Sequence, residues 1–197
     1  MATIGRTLTA RTAALAVLLL AVAALLLTAG CTSPTPTTRA EASSSPPRKL
    51  HTPETILGMP KSMSRVLTGV PRSRLDQLKR EVGEPTSAVG WAYGGETPDA
   101  DVVFVSGASG RVSDQAGALD RALRSYRTPT TERIEVGRFG GEARCGRGRT
   151  EDESFMTVCG WADSETVGVV AFVSSRPQGD RTADFLTVRG ELERPAG

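Results

Sequence analysis

The sequence has no asparagine, three lysines, three cysteines and a single histidine among its 197 residues. The scarcity of histidine has the clearest consequence, because histidine is the commonest general base near neutral pH and a serine–histidine–carboxylate triad requires one. His51 ends a stretch rich in serine, threonine and proline, and we interpret it as a solvated linker residue rather than a metal ligand or a general base. We therefore expect no such triad in the folded part of the chain.

Sequence motifs for other kinds of chemistry are also missing. Ser109 lies in Gly107-Ala108-Ser109-Gly110, which lacks the G-x-S-x-G spacing of a nucleophile elbow. Gly146 and Gly148 are not followed by a helix start with Lys-Ser or Lys-Thr, as a phosphate-binding loop would be. The sequence therefore predicts no catalytic residue, no cofactor and no metal site.

Two groups of carboxylates remain candidates for acid–base chemistry, namely Glu151-Asp152-Glu153 and the pair Asp163 and Glu165. Adjacent loop carboxylates usually point into water, and the sequence places no pair at the separation that glycoside hydrolysis needs. Three neighbouring arginines, Arg144, Arg147 and Arg149, form either an anion-binding loop or a solvated loop with internal ion pairs. We prefer the second interpretation, because acidic residues follow them at once in the sequence.

An apolar run of fifteen residues is the most informative feature that is present. It extends from Ala13 to Leu27, follows the basic residues Arg6 and Arg11, and is closed by small residues before Cys31. This order resembles the bacterial lipoprotein signal, which implies removal of residues 1–30 and acylation of Cys31. An uncleaved membrane span is the alternative, but a spanning helix needs about 20 apolar residues. We therefore expect a lipid anchor, palmitate included, on the extracytoplasmic face of the cell membrane.

Removal of the signal changes the charge balance of the protein. Without Arg6 and Arg11, 22 of the 24 basic residues remain, against 22 acidic residues. The mature chain is then about neutral, so its net charge implies no nucleic-acid partner. Residues 31–49 are rich in serine, threonine and proline, cannot bury apolar surface and are predicted to form a tether, of which the stretch from Thr32 to Arg48 spans up to roughly 50 Å when extended at about 3.1 Å per residue.

Residues 50–197 have the length of one domain. Three helices are predicted from apolar spacing and N-cap residues, beginning near Ser73, Ser113 and Asp180, and the Ser73–Asp76 segment approximates a capping box. Residues 52–70 are expected to be an irregular cover whose apolar residues are buried, and Gly107 to Gly110 a turn. Strands are predicted at Val89–Tyr93, Asp101–Ser106, Ile134–Val136, Ser154–Trp161 and Thr166–Val173, with a possible sixth near Cys145.

These elements predict an α+β fold with an antiparallel or mixed sheet of about five to six strands and about three helices on one face. The run Asp101–Ser106 is apolar on both faces, so it is expected inside the sheet rather than at its edge. Trp91 and Trp161 alternate with other apolar residues, which favours core positions over ligand-stacking platforms.

Two cysteines are left once Cys31 is assigned to the lipid. In an exported protein Cys145 and Cys159 are expected to form a disulfide bond, which would close a loop of about 15 residues. The alternative, a metal site with two cysteines, lacks a third cysteine or a nearby histidine.

Three short segments carry a family resemblance: Gly140-Gly141-Glu142-Ala143-Arg144-Cys145, then Cys159-Gly160-Trp161-Ala162-Asp163, then Thr166-Val167-Gly168-Val169-Val170. With the helix predicted after them, they resemble a group of uncharacterised actinobacterial lipoproteins and exported proteins. The resemblance covers roughly Val89 to Glu193. It supports the cysteine pairing and the extracytoplasmic location, and it implies no catalytic residue.

The function that we expect from the sequence is a non-catalytic binding or interaction module held at the membrane by its lipid. Its partner would be an envelope protein or a wall component. A carrier of an apolar ligand and, less favoured, a carboxylate-dependent envelope hydrolase are the alternatives. The hairpin turn Asp163, Ser164 and Glu165 is the predicted interaction surface, because loops on rigid strands often carry recognition.

Overall fold

A computed structural model describes residues 47–97, 99–128 and 130–195. The predicted signal, Cys31 and most of the predicted tether lie outside these residues. The strands are β1 (Arg48–Leu50), β2 (Thr55–Ile56), β3 (Met59–Pro60), β4 (Gly83–Gly94), β5 (Val102–Arg111), β6 (Thr131–Arg133), β7 (Glu142–Arg149), β8 (Phe155–Ala162), β9 (Thr166–Ser174) and β10 (Glu193–Pro195). The helices are α1 (Arg65–Arg72), α2 (Leu75–Arg80), α3 (Gln115–Leu123) and α4 (Thr182–Leu192), with a 3₁₀ turn at Gly137–Phe139.

Six strands form one antiparallel sheet in the order β4-β5-β9-β8-β7-β6. Two small antiparallel pairs, β1 with β10 and β2 with β3, lie outside it. The α+β class and the six-stranded sheet are confirmed, and so is the interior position of Asp101–Ser106, which lies largely within β5. β1 begins at Arg48, so regular structure starts two residues before the predicted boundary of the tether.

Both faces of the sheet are covered, rather than the one face that we expected. Alternate residues of β8 explain why: Cys159 and Trp161 belong to one apolar core, whereas Val158 and Ala162 belong to the other. The first core also contains residues of α4, and the second contains residues of α2 and α3. A strand with apolar residues on both sides needs cover on both sides, and the helices supply it.

β5 continues through the four residues predicted to form a turn. Gly107 and Gly110 are both within the strand, which ends at Arg111. A Cβ atom on Gly107 would lie 2.6 Å from a methyl carbon of Leu50, so this glycine makes room for β1. Glycine here serves close packing of the backbone and not a reversal of the chain.

The segment before residue 71 is more regular than expected. It contains the β2–β3 hairpin and α1, whose first turn is capped by the hydroxyl of Ser64, which accepts a hydrogen bond from the Leu67 N–H. Ile56 is fully buried, but Met63 and Val66 are 82% and 80% exposed. The prediction that the apolar residues of this segment are buried is therefore wrong for Met63 and Val66.

Helix starts differ in detail from the predicted caps. Ser73 is not an N-cap, because its hydroxyl donates to the carbonyl of Val70, and α2 begins two residues later, at Leu75, without a side-chain cap. Asp114, rather than Ser113, caps α3 by accepting from the Gly117 N–H. Asp180 accepts from the Thr182 N–H and hydroxyl just before α4, but the N-cap position is Arg181, which makes no side-chain cap, so the prediction that Asp180 caps this helix is wrong by one residue.

The region between α3 and β7 is only partly a strand. β6 ends at Arg133, and Ile134 and Val136 lie in an irregular segment, half-buried against the first core. Pairing of β6 with β7 covers three residues. The alternation of Ile134 and Val136 therefore reports burial against the core rather than strand geometry.

The predicted disulfide bond joins Cys145 of β7 to Cys159 of β8. The two residues face each other directly in the register of the two strands, with Cα atoms 4.0 Å apart. Trp161, two residues beyond Cys159, is fully buried as predicted, whereas Trp91 is half-buried. The pairing prediction is confirmed, and the bond ties a strand near the sheet edge to an interior strand.

Candidate functional site

The hairpin turn that was predicted to be an interaction surface is mostly turned inward. It joins β8 to β9, and Asp163 is 3% exposed, while the side chain of Glu165 is 34% exposed. Of the three turn residues, only Ser164 is exposed. Asp163 is thus not available to a partner, and the prediction of a solvent-facing recognition turn does not hold for this residue.

The carboxylate of Asp163 shapes the turn itself. Oδ1 accepts hydrogen bonds from the backbone N–H groups of Glu165 and Thr166 at 2.8 and 2.9 Å, and Oδ2 accepts from the Thr166 hydroxyl at 2.9 Å. Aspartate is suited to this position because its short side chain reaches the backbone two and three residues ahead. Gly141 lies against it, where a Cβ atom would be 2.6 Å from the Asp163 Cβ. The turn is therefore closed by its own side chain and by close packing.

A fully buried arginine of α4 meets this carboxylate. Arg189 donates from Nη2 to Asp163 Oδ2 and from Nε to Glu193 Oε1, the latter at 2.7 Å. Its remaining donors lie 3.3 Å from the carbonyls of Phe139 and Gly140, and its guanidinium lies 5.0 Å from the centre of the Phe139 ring. A buried guanidinium is tolerated only when its donors and charge are matched in this way.

A second arginine enters the same cluster from β1. Arg48 lies 2.9 Å from Asp163 Oδ1, 2.8 Å from Glu165 Oε2 and 2.9 Å from Glu193 Oε2. Burial alone would lower the pKa of Arg48, but the hydrogen bond to Glu165 and the charges of all three carboxylates outweigh it and raise that pKa. We call these five residues the ion network: Arg48, Asp163, Glu165, Arg189 and Glu193.

The ion network joins three parts of the chain that are distant in sequence: β1, the β8–β9 turn and the end of α4. Thr166 extends it by accepting from the Trp161 indole N–H at 2.9 Å and donating to Asp163. Its carboxylates are engaged by N–H groups, a hydroxyl and two guanidinium groups, as in a structural network, whereas a general acid or base needs a free position at the reacting group. The ion pairs of Arg48 therefore hold β1 against the β8–β9 turn and the end of α4.

His51 lies beside the ion network, packed against the end of α4. Its Nδ1 is 2.8 Å from the carbonyl oxygen of Leu192, which can only accept, so the ring donates from Nδ1. The backbone N–H of His51 donates to the same oxygen at 3.0 Å. The interpretation of His51 as a solvated linker residue is therefore wrong, because it is a half-buried part of the fold.

The other charged candidates lie at the surface. The carboxylates of residues 151–153 occupy the exposed turn between β7 and β8, and hydrogen bonds led by the Thr150 hydroxyl lower the pKa of Asp152. Arg144 pairs with Asp120 and Glu142, and Arg149 approaches Glu153 at 4.0 Å. Within the part of the chain that the structure describes, no group of three or more histidine, cysteine, aspartate or glutamate side chains is arranged to hold a metal ion.

An apolar groove of about 530 Å³ lies between α1 and the face of the sheet that carries the second core. We call it the α1 groove. Seven apolar residues line it, from α1, the loop before β5, β5 itself and β9: Val66, Leu67, Val70, Ala100, Val102, Phe104 and Val173. Its rim is polar and includes Ser64, Glu96 and Asp152. A groove of this size and lining can accept an apolar segment or ligand.

Glu96 sets one wall of the α1 groove by holding the start of α1. Its Oε1 accepts from the Ser62 hydroxyl and from the N–H groups of Met63 and Ser64, at 2.8 to 2.9 Å. The hydrogen bond from Ser62 and those from the backbone lower the pKa of Glu96. One carboxylate oxygen of Glu96 therefore joins the loop before β5 to the start of α1 through three hydrogen bonds.

Sequence reasoning missed the α1 groove, although two signals for α1 were present. Ser64 is an N-cap residue, and Met63, Val66 and Val70 recur at intervals of three and four residues. Pro71 and Gly69 obscured the pattern, and the assumption that apolar residues are buried assigned them to a core. The groove itself combines residues far apart in sequence, so no local pattern could reveal it.

Comparisons with family models, with curated proteins and with solved structures give no match for this chain. The resemblance to exported actinobacterial proteins thus stays a prediction. No helix among the described residues has both the length and the hydropathy of a membrane span.

Proposed function

We propose that this protein is a membrane-anchored extracytoplasmic binding module without catalytic activity of its own. The α1 groove is the observation that carries the proposal, because it is an open apolar surface on a domain whose buried charges are engaged in the ion network. Such exposed apolar surface rimmed by polar residues is typical of interaction sites. The partner that fits it is an envelope component presenting an apolar segment.

Anchoring through Cys31 is supported by the apolar run before it and by the disulfide bond, which is typical of an oxidising compartment. The wild-type protein should sediment with membranes and incorporate labelled fatty acid. Cys31→Ser should lose the label and shift the protein to the soluble fraction. Unchanged labelling and sedimentation of Cys31→Ser would contradict the lipid anchor.

Binding in the α1 groove is tested with a charge placed on its wall. Val70 lines the groove and is 47% exposed, so Val70→Glu adds a carboxylate without disturbing the core. Thr187→Glu is the matched control, since Thr187 is exposed on α4. Retention of envelope components by immobilised protein should fall at least tenfold for Val70→Glu alone, because burying an unpaired charge in a groove is unfavourable. Equal retention by all three proteins would remove the groove from consideration.

A carrier of an apolar ligand is the second candidate, because about 530 Å³ is within the range of small-molecule sites. Native mass spectrometry of protein from its own membranes separates the two. A bound apolar molecule that is lost in Val70→Glu would favour the carrier. Turnover of a wall glycan, peptide or ester by the purified protein would overturn the non-catalytic assignment.

A further inference from the structure

The chain from residue 61 to residue 80 has a charge balance unlike the rest of the protein. It contains six basic residues and one acidic residue, Asp76. The remainder of the mature chain carries 16 basic and 21 acidic residues. An approximately neutral protein thus concentrates positive charge on the segment that forms α1 and α2.

Much of this charge faces solvent. Arg65 and Arg72 of α1 and Lys79 and Arg80 of α2 are exposed. Arg72 stacks over the ring of Trp91, with its guanidinium carbon 4.5 Å from the ring centre, and keeps its charge at the surface. Among the described residues, the ion pairs within 4.0 Å include none with these four side chains. Their positive charge is therefore available to an anionic partner.

The same segment exposes apolar side chains beside that charge. Met63 and Val66 are 82% and 80% exposed, and Val70, one helical turn after Val66, is 47% exposed. They are the large hydrophobic residues that the described part of the chain leaves most exposed. We call these three residues together with the exposed basic residues of α1 and α2, namely Arg65, Arg72, Lys79 and Arg80, the basic apolar face; Arg65 and Arg72 share α1 with Val66 and Val70, and Lys79 and Arg80 follow at the end of α2. Basic residues beside protruding apolar side chains are the pattern of helices that lie in a membrane interface.

We propose that the basic apolar face lies against an anionic lipid membrane, with Met63 and Val66 inserted between the headgroups. This inference rests on the proposed anchoring, which places a membrane within reach. Residues 31–47 span up to roughly 50 Å when extended at about 3.1 Å per residue. The strands of the sheet are about 30 Å long at about 3.3 Å per residue. The tether therefore lets the domain lie on the membrane that holds its anchor.

An acidic protein is the other partner with matching charge, and the composition of the face disfavours it. Protein interfaces usually concentrate binding energy in tryptophan, tyrosine and arginine side chains that fill pockets of the partner, and of these the face has arginine but no exposed aromatic residue. The apolar members here are one methionine and two valines: Met63 and Val66 protrude into solvent, and Val66 and Val70 also line the outer side of the α1 groove. Aliphatic side chains need no shaped pocket to enter lipid, whereas each basic residue near an anionic surface raises affinity roughly fivefold.

The test uses the protein purified from its native membranes and incorporated into two kinds of vesicle, phosphatidylcholine alone and phosphatidylcholine with phosphatidylglycerol. Amide hydrogen exchange of residues 63–72 is compared with that of α3 in the same sample. We expect exchange in residues 63–72 to slow severalfold only in the anionic vesicles. High salt should abolish the difference, because screening weakens attraction to the lipid surface.

Two variants separate the apolar and the electrostatic contributions. Met63→Ser/Val66→Ser and Arg65→Gln/Arg80→Gln should each remove most of the protection, and both change exposed side chains, so the fold is retained. The second pair should weaken membrane contact by about 25-fold, from two basic residues at roughly fivefold each. A control that replaces two exposed arginines outside the face, Arg138→Gln/Arg176→Gln, should leave the protection unchanged.

The outcomes distinguish this inference from the anchoring on which it rests. Flotation with phosphatidylcholine vesicles reports the anchor alone. If the protein floats with phosphatidylcholine vesicles but its residues 63–72 exchange their amide hydrogens at the same rate in both kinds of vesicle, the inference is overturned and the lipid anchor still stands. A protein that floats only with anionic vesicles would overturn the anchor and support the face. Protection that requires an envelope protein, and not anionic lipid, would assign the face to a protein partner and overturn the inference.

Discussion

Replacement of Asp163 by alanine tests the role that the structure gives to the ion network. The substitution removes a carboxylate that is 3% exposed and engages both Arg48 and Arg189. Arg189, with no exposed surface, keeps only one carboxylate partner, Glu193. Breaking a buried ion pair by removing one partner costs about 3–5 kcal/mol, because the other charge stays buried without compensation. We therefore expect Asp163→Ala to lower the free energy of unfolding by that amount.

The assay is equilibrium unfolding in guanidinium chloride without reductant, followed by tryptophan fluorescence. Trp161 is hydrogen-bonded within the same network through Thr166, so its emission reports the state of this region. The midpoint should fall by about 1 M for a protein of this size. Glu151→Ala is the control, since Glu151 has a side chain that is 88% exposed and its change should stay within about 0.5 kcal/mol.

A double substitution separates the ion pair from the turn. Asp163→Ala/Arg189→Met removes both charges, so it should lose less stability than the sum of the single changes, with a coupling of about 1–3 kcal/mol. A loss below about 1 kcal/mol for Asp163→Ala, or strict additivity of the two changes, would show that the network does not stabilise the fold as argued. Reduced retention of a partner by Asp163→Ala would report unfolding and not recognition.

Three further predictions concern other contacts. Cys145→Ala/Cys159→Ala should lower the free energy of unfolding by about 3 kcal/mol, and peptide mapping of the wild type without reductant should recover the two cysteines linked; a much smaller loss would mean that strand pairing already fixes the loop. Gly168→Ala should cost at least about 1–3 kcal/mol, because its Cβ would lie 2.2 Å from the ring of Trp161; unchanged stability and tryptophan emission would contradict this packing. Hydrogen bonds from a serine hydroxyl and two backbone N–H groups lower the pKa of Glu96, so its stabilisation of α1 is present above the ordinary carboxyl pKa and is lost as the pH falls through the folded value. The opening of α1 that amide hydrogen exchange reports should therefore become more frequent in acid for the wild type, and Glu96→Gln should show a weaker dependence of this opening on pH. The same pH dependence in both proteins would refute the role of Glu96.

Local patterns in the sequence were sufficient for much of the sheet. Two β-rich runs joined by four residues predicted the hairpin of β8 and β9, and the doubly apolar run in β5 predicted an interior strand. Cysteine number predicted the bond between Cys145 and Cys159. These features are encoded within a few residues of one another, or by simple counting, because strand periodicity and turn composition are local properties.

The same local patterns failed where long-range contacts decide the outcome. Local composition predicts a turn at Gly107 to Gly110, but β1, which begins more than fifty residues earlier, packs where Gly107 has no side chain. Apolarity predicts that Met63 and Val66 are buried, yet nothing in the described structure covers them. An apolar side chain can be buried or exposed, and whether water is excluded from it depends on which residues the fold places around it.

The sequence by itself determined the fold class, the disulfide pairing and the expectation of a lipid anchor at Cys31, since each follows from residue type, order and spacing. Tertiary structure alone decided that Asp163 is a buried ion-pair partner and not a recognition residue. A carboxylate in a hairpin turn is exposed unless distant cations reach it, and Arg48 and Arg189 lie 115 and 26 residues away along the chain. Such a convergence is a property of the packed chain, because no spacing rule connects β1, a hairpin turn and the last helix.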